Sequence, residues 1–180
     1  GDINFELSYG SFDDILEAVL CGTWNTDVLK AGTTRRSYTI ERHHQDIGKY
    51  LRSTGCNFNT MSLSVAPNSM VTGSFGVIGK GFSVASVAVT GATYNTESVT
   101  APFDSFSGSI TEGGSSIAVV TSLELNIENG MEALYVIGSS DTLQPSIGKS
   151  MVNGSISLRH IVSYSISVFP RWIRCCEPFL

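Results

Sequence analysis

The stretch CNFNTMSLSVAPNSMVTGSFGVIG, residues 56–79, carries the clearest strand pattern of the chain. Apolar and polar residues alternate along it with the period of two that predicts half-buried β-strands. The alternation slips by one residue between Phe58 and Met61, which predicts a β-bulge or bend near Asn59. A Pro-Asn pair at 67–68 predicts a turn. The stretch is therefore predicted to form two consecutive strands joined by that turn.

The same pattern extends outward in both directions. Ser, Thr and Gly make up 59 of the 180 residues, and short alternating runs separated by such residues are typical of an all-β sandwich or barrel. The alternation recurs at 3–9 and around 38–41. Further strands are predicted at 82–90, 105–110, 117–127 and 150–168. This spacing favours a mainly β fold, an antiparallel β-sandwich or barrel, over βαβ units.

One flanking amphipathic α-helix is predicted in SFDDILEAVLCG, over about residues 11–21. Its apolar residues form a stripe with helical spacing. Ser11 is positioned to be the N-cap, and Gly22 is positioned to end the helix. We expect the helix to lie on the sheet.

Composition excludes several classes of protein. A net charge of −5 and a pI near 5.1 argue against a protein that grips nucleic-acid phosphates through a basic face. The apolar runs are too short for a membrane-spanning helix, and the opening residues lack the basic and apolar regions of a signal peptide. Because the chain does not begin with Met, we expect it to start partway into a longer product.

Charge is distributed unevenly along the sequence. Residues 81–148 contain seven acidic residues and no Lys or Arg. Basic residues concentrate instead between 35 and 52, interleaved with Glu41 and Asp46. Both patterns fit an ordinary solvated surface, and both also fit a subunit whose acidic and mixed-charge surfaces face different partners or bind each other.

The chain has no recognisable catalytic or metal-binding motif. Neighbouring strand residues point to opposite faces, so His43 and His44 are not expected to share a metal ion. SFSGSI at 105–110 lacks the glycines of a GxSxG motif, and IGKS at 147–150 lacks the first glycine of a P-loop. The four cysteines show no metal-ligand spacing and favour a reducing compartment. We predict no enzyme, no metal and no cofactor.

Longer segments of the chain resemble, in the same order, a family of bacteriophage tail tube proteins from long-tailed phages with non-contractile tails. The segments are GDINFELSYGSFDDILEAVLCGTW, RRSYTIERHHQDIGKYLRSTGCNFNTMSLSVAPNSMVTGSFGVIGKG, PFDSFSGSITEGG, VTSLELNIENGMEALYVIGS and GKSMVNGSIS. Together they cover most of residues 1–157, which is far more specific than any single motif.

The resemblance implies a structural subunit whose hexameric rings stack into a tube, through which phage DNA passes into the host without specific binding. An acidic lumen wall would repel DNA phosphates, and the candidate lumen-facing residues are Glu97, Glu112, Glu124 and Glu128. The candidate residues for a contact between subunits or rings are Arg35, Arg36, Arg42 and Lys49. The implied partners are further copies of the chain and other tail proteins, such as a tail terminator and a tape measure. The implied location is the virion tail, with assembly in the bacterial host cytoplasm.

Both ends of the chain depart from the family pattern. From the resemblance we expect the chain to lack a segment that precedes the first strand in the family, and to carry LRHIVSYSISVFPRWIRCCEPFL in place of the family's acidic, aromatic segment. We predict a tail-tube-like β-sandwich domain, incomplete at its N-terminus, at 1–157. Residues 158–180 are predicted to be an atypical segment, strand-like and then irregular, and a frameshifted end from a decaying prophage is one interpretation.

Two alternative functions stay open at this point. Another virion ring protein, such as a neck or tail-terminator subunit, would share the fold but stop at a single ring. A β-sandwich carbohydrate-binding module would need exposed aromatic residues in a groove, and Trp24 and Trp172 are too few and too scattered to indicate one.

Overall fold

The structure is a computed structural model that describes residues 1–96, 98–105, 111–112, 114–116, 120–139, 141–146 and 148–159. The described residues form one helix and thirteen strands. In chain order they are β1 (Asp2–Glu6), α1 (Asp13–Leu20), β2 (Trp24–Asn25), β3 (Val28–Leu29), β4 (Tyr38–His44), β5 (Lys49–Val65), β6 (Thr72–Ile78), β7 (Gly81–Ala85), β8 (Thr111–Glu112), β9 (Ser115–Ser116), β10 (Val120–Glu128), β11 (Glu132–Leu134), β12 (Leu143–Ser146) and β13 (Met151–Leu158).

The long strand β5 organises the main sheet. Its first half pairs antiparallel with β4 and with β7. Its second half pairs antiparallel with β6 and with β10. Strands β1 and β13 complete the sheet, in the order β1-β6-β5-β10-β13. Three two-stranded sheets, β2-β3, β8-β9 and β11-β12, lie outside it.

The predicted bulge at Asn59 is confirmed. The register between β5 and β6 shifts between Phe58 and Thr60, which leaves Asn59 as the extra residue. Its carbonyl oxygen accepts a hydrogen bond from the Asn129 N–H at 2.8 Å. Its side-chain Oδ1 accepts one from the Met131 N–H, also at 2.8 Å. The bulge therefore anchors the connection that leaves β10.

Helix α1 covers one face of the sheet and forms the core with it. Phe5, Phe58 and Phe75 lie beneath Ala18 and Val19 of the helix, and all five are buried. The rings of Phe5 and Phe75 stack with their centroids 4.2 Å apart. Burial of each large side chain contributes about 1.5–3 kcal/mol, so this aromatic cluster is the main apolar contact between helix and sheet.

The helix is shorter than predicted, and its predicted N-cap is wrong. It spans Asp13–Leu20, and no side chain caps its first turn. The Ser11 hydroxyl instead accepts a hydrogen bond from Ser8 Oγ at 2.7 Å and donates one to Ser98 Oγ at 3.2 Å. As an N-cap, the Ser11 oxygen would accept a hydrogen bond from a backbone N–H of the first turn, whereas here it accepts from the Ser8 hydroxyl.

The helix ends one residue earlier than the sequence predicts. Cys21 adopts the left-handed conformation with a φ of 49°, so it takes the position that sequence reasoning gave to Gly22. Gly22 serves a different purpose, since a Cβ there would overlap the Lys30 carbonyl oxygen. Its lack of a side chain lets the following loop approach closely.

The predicted mainly β, antiparallel class with one helix is confirmed in an open, sandwich-like form, and the described strands do not close into a barrel. The strands predicted at 82–90, 117–127 and 150–168 correspond to β7, β10 and β13, each with shifted bounds. Most of the strand predicted at 105–110 lies outside the described residues, as does the segment 160–180. No described helix is long and apolar enough to cross a membrane.

Candidate functional site

The face of the main sheet opposite the helix is almost entirely polar. Antiparallel register partners share a face, so the pairing places Asn4, Ser74, Ser62, Asn126 and Asn153 in one row across five strands. Alternation along each strand sends the neighbouring apolar residues, such as Phe75 and Met61, to the helix side. Sequence alternation and register together therefore build one continuous surface.

We call this surface the polar face. It comprises three rows whose polar members are Asp2, Asn4, Glu6, Thr60, Ser62, Ser64, Thr72, Ser74, Glu124, Asn126, Glu128, Asn153 and Ser155. Gly76 and Met151 are the members of the rows without a polar side chain. A Cβ at Gly76 would overlap Thr60 Oγ1, so this glycine leaves room for its cross-strand neighbour.

The polar face carries carboxylates, hydroxyl groups and side-chain amides, and no positive charge. Its four carboxylates are at Asp2, Glu6, Glu124 and Glu128, and its rows contain no Lys, Arg or His. The Ser62 and Ser74 hydroxyls lie 2.8 Å apart and satisfy each other. Such a surface repels an anionic polymer and offers it no cation to pair with.

The structure places the predicted acidic residues unequally. Glu124 and Glu128 lie on the polar face and are exposed. Ser155 Oγ donates to Glu124 Oε2 at 3.4 Å. Glu112 lies in β8, where the structure describes the backbone alone, and Glu97 lies outside the described residues.

Sequence reasoning missed Asp2 and Glu6 as members of the same surface. Both lie on β1, outside the base-free stretch that drew attention to the other acids. Their alternation with Ile3 and Phe5 was a usable signal. The register that brings β1 beside β6 could not be read from the chain.

Two of the predicted contact residues are engaged within the chain. Arg36 forms an ion pair with Glu17 at 2.8 Å, and its guanidinium also donates to the Gly22 carbonyl oxygen and to Thr23 Oγ1. The Arg35 guanidinium donates to Asn57 Oδ1 at 3.2 Å and to the Pro145 carbonyl oxygen. Both arginines are half-buried and tie the loop before β4 to the rest of the molecule.

The other two contact residues are exposed on the hairpin formed by β4 and β5. Arg42 pairs across the hairpin with Leu51 and is exposed. Lys49 is also exposed, and its Nζ donates to Ser86 Oγ at 2.7 Å. These two side chains can therefore meet another molecule at the hairpin.

A polar cluster joins Glu41 and Arg52 of the same hairpin to Tyr94 of the segment after β7. Arg52 Nε lies 2.5 Å from one Glu41 oxygen, and the Tyr94 hydroxyl donates to the other at 2.7 Å. The hydrogen bond from Tyr94, followed by that from Arg52, holds the pKa of the Glu41 carboxyl below its ordinary value. Arg52 also donates to the Val87 carbonyl oxygen, so the cluster fastens the segment after β7 to the hairpin.

The described residues contain no group of three or more His, Cys, Asp and Glu that could hold a metal ion. His43 stacks on Tyr50 with ring centroids 4.1 Å apart. Cys21 and Cys56 are free and buried, as expected for thiols in apolar patterns. Burial raises the pKa of the Cys56 thiol, which keeps it in its less nucleophilic form.

Comparison with known protein families gives a match over most of the chain. The model of a family described as "Phage tail tube protein" matches residues 1–166. A search of curated proteins found no match.

Proposed function

The chain belongs to the phage tail tube protein family and is a structural protein of the phage tail, and from this premise we propose that it assembles into stacked hexameric rings that conduct DNA into the host. The tube then acts as a passive conduit and not as an enzyme. Its partners are further copies of itself and other tail proteins, such as a tail terminator and a tape measure. Assembly takes place in the host cytoplasm, and the product resides in the virion tail.

The polar face is the observation that carries this proposal. Duplex DNA presents one negative charge per about 1.7 Å of its axis, so a lumen lined with cations would retard it at every step. The polar face carries Asp2 and Glu6 on its first strand, β1, and Glu124 and Glu128 on its fourth, β10, and its rows contain no base. We assign this face to the lumen, together with the sequence candidates Glu97 and Glu112.

The sheet edges supply a route to ring closure. Among the described residues β1 and β13 end the five-strand part of the main sheet, β4 and β7 border the first half of β5, and every residue of β13 is exposed. An exposed edge strand readily pairs with another chain. If β13 of one copy lies beside β1 of the next, the contact is heterologous, and a suitable rotation closes it into a ring.

The hairpin of β4 and β5 supplies the contact between rings in this proposal. Arg42 and Lys49 face solvent there, and charges at the rim of an interface set register and on-rate more than affinity. Arg35 and Arg36 contribute to this contact indirectly. Their guanidinium groups are engaged inside the chain, where they hold the loop before β4 in place.

Assembly of the purified protein tests the proposal. We expect negative-stain electron microscopy to show rings and tubes, and sedimentation to show species that grow with concentration. Discrete single rings that never elongate would favour the terminator or neck function instead. A monomer at all concentrations would contradict assembly by this chain.

Charge reversal tests the contact between rings. Arg42→Glu combined with Lys49→Glu should shorten or abolish tubes while the monomer stays folded. Lys30→Glu, which changes an exposed lysine outside the hairpin, is the matched control and should leave tubes intact. Unchanged tube length in the double variant would remove these residues from the contact.

A further inference from the structure

An open groove with a mixed apolar and polar lining lies beside the first half of β5. It encloses about 570 Å³, and its apolar lining includes Ile3, Ile40, Val77, Phe82 and Tyr135. No residue of α1 lines it. Phe82 is 62% exposed and Tyr135 is 78% exposed, so this surface is left open by the described part of the chain.

The groove also carries charges of both signs. Lys80, Asp141 and Asp2 line it, and all three are exposed. A shape that combines apolar walls with charges of both signs suits a protein segment that presents an apolar side chain between an acid and a base.

The tip of the β4–β5 hairpin presents such a segment. Residues 45–48 form the turn, and Gly48 takes a φ of +58° that suits glycine. Ile47 is 62% exposed at this turn, where polar residues are usual. Asp46 and Lys49 flank it, and both are exposed.

The tip cannot reach the groove of its own chain. Ile47 lies six residues before Ser53, which lines the groove, and an extended strand rises about 3.3 Å per residue. The part of β5 from Lys49 to Ser53 therefore spans about 13 Å, and the turn that carries Ile47 lies beyond Lys49. Two complementary surfaces at different places on one molecule make a heterologous contact, which repeats from copy to copy.

We propose that Ile47 of one copy inserts into this groove of a second copy. Asp46 then faces Lys80 of the second copy, and Lys49 faces its Asp141. The inference rests on the proposed tube function and deepens it, because it names the surface that receives the hairpin. The contact is open-ended, as stacking of rings requires.

Disulfide trapping between copies tests the contact. Two variants are made in a background with Cys175→Ser and Cys176→Ser, one with Ile47→Cys and the other with Tyr135→Cys. Cys21 and Cys56 stay in place because both are buried. A disulfide needs Cα atoms within about 7 Å, so we expect a cross-linked dimer when the two variants are co-assembled and none when either is oxidised alone.

A matched control replaces the groove residue by an exposed one elsewhere. Val99 is fully exposed and lies outside both the tip and the groove, so co-assembly of Val99→Cys with Ile47→Cys should give no dimer above background. Tubes that form without the specific 47–135 dimer would overturn the inference and leave the proposed function standing. Failure of the unsubstituted chain to form rings or tubes would overturn both.

The concentration needed for assembly gives a second readout. Ile47→Asp should raise it by at least about tenfold, because a buried isoleucine is exchanged for a charge in an apolar groove. Val99→Asp adds the same charge at a fully exposed site and should leave the threshold unchanged. Equal thresholds for both variants would contradict the contact.

Discussion

At the scale of single residues, Phe75 is the centre of the core. It is completely buried, stacks on Phe5 and meets Phe58 edge to face at 5.8 Å. We expect Phe75→Ala to lower the free energy of unfolding by about 3–5 kcal/mol, because the helix and sheet cannot collapse into the space left behind. Urea denaturation measures this. Phe82→Ala is the control, since Phe82 is largely exposed and its loss should cost the monomer about 0.5 kcal/mol or less.

A second residue-scale prediction concerns Glu41. Its pKa is lowered in the folded chain, so its contribution to stability is present above the ordinary carboxyl pKa and is lost as pH falls through the lowered value. Tyr94→Phe removes the hydrogen bond that contributes most to this shift. We expect the Glu41 pKa to rise toward its ordinary value, as followed by an NMR titration of the side-chain carboxyl. Tyr135→Phe is the control and should leave the Glu41 pKa unchanged. An unchanged Glu41 pKa in Tyr94→Phe would contradict the hydrogen bond from Tyr94 to Glu41.

At the scale of elements, the bulge in β5 connects two parts of the fold. Asn59→Ala removes the acceptor of the Met131 N–H, and Met131 is buried. A buried donor left unsatisfied costs about 1–3 kcal/mol, so we expect a loss of that size in the free energy of unfolding. Asn126→Ala should be nearly neutral because Asn126 is exposed on the polar face. Equal effects of the two substitutions would show that the bulge does not depend on its side chain.

The same elements show what the sequence could and could not predict. Alternation around Phe58 revealed the strand and its bulge, because the period-two pattern is local. The prediction of Ser11 as the helix N-cap was wrong because its hydroxyl is hydrogen-bonded to Ser8 and Ser98 instead. Ser98 is far along the chain. Asp2 and Glu6 were missed because strand pairing is non-local. The ion pair between Arg36 and Glu17 could not be predicted either, because it joins residues of two different elements.

At the scale of the whole molecule, the polar face should allow DNA to pass without holding it. We expect Ser62→Lys combined with Asn126→Lys to leave ring assembly intact, because both sites lie on the exposed polar face opposite the core. Assembled tubes of this variant should bind DNA, with affinity falling as salt rises by a slope of about 0.9 per phosphate neutralised. Binding assays across a salt series measure this, and Val99→Lys is the control. Equal DNA binding by the double variant and by Val99→Lys would contradict the assignment of the polar face to the lumen.

A cryo-electron microscopy map of the assembled tube tests most directly whether the polar face lines the lumen. We expect Glu124, Glu128, Asp2 and Glu6 to surround the central channel and helix α1 to lie on the outer side of the sheet. A map in which α1 faces the channel, or in which these carboxylates lie on the outer wall, would contradict it.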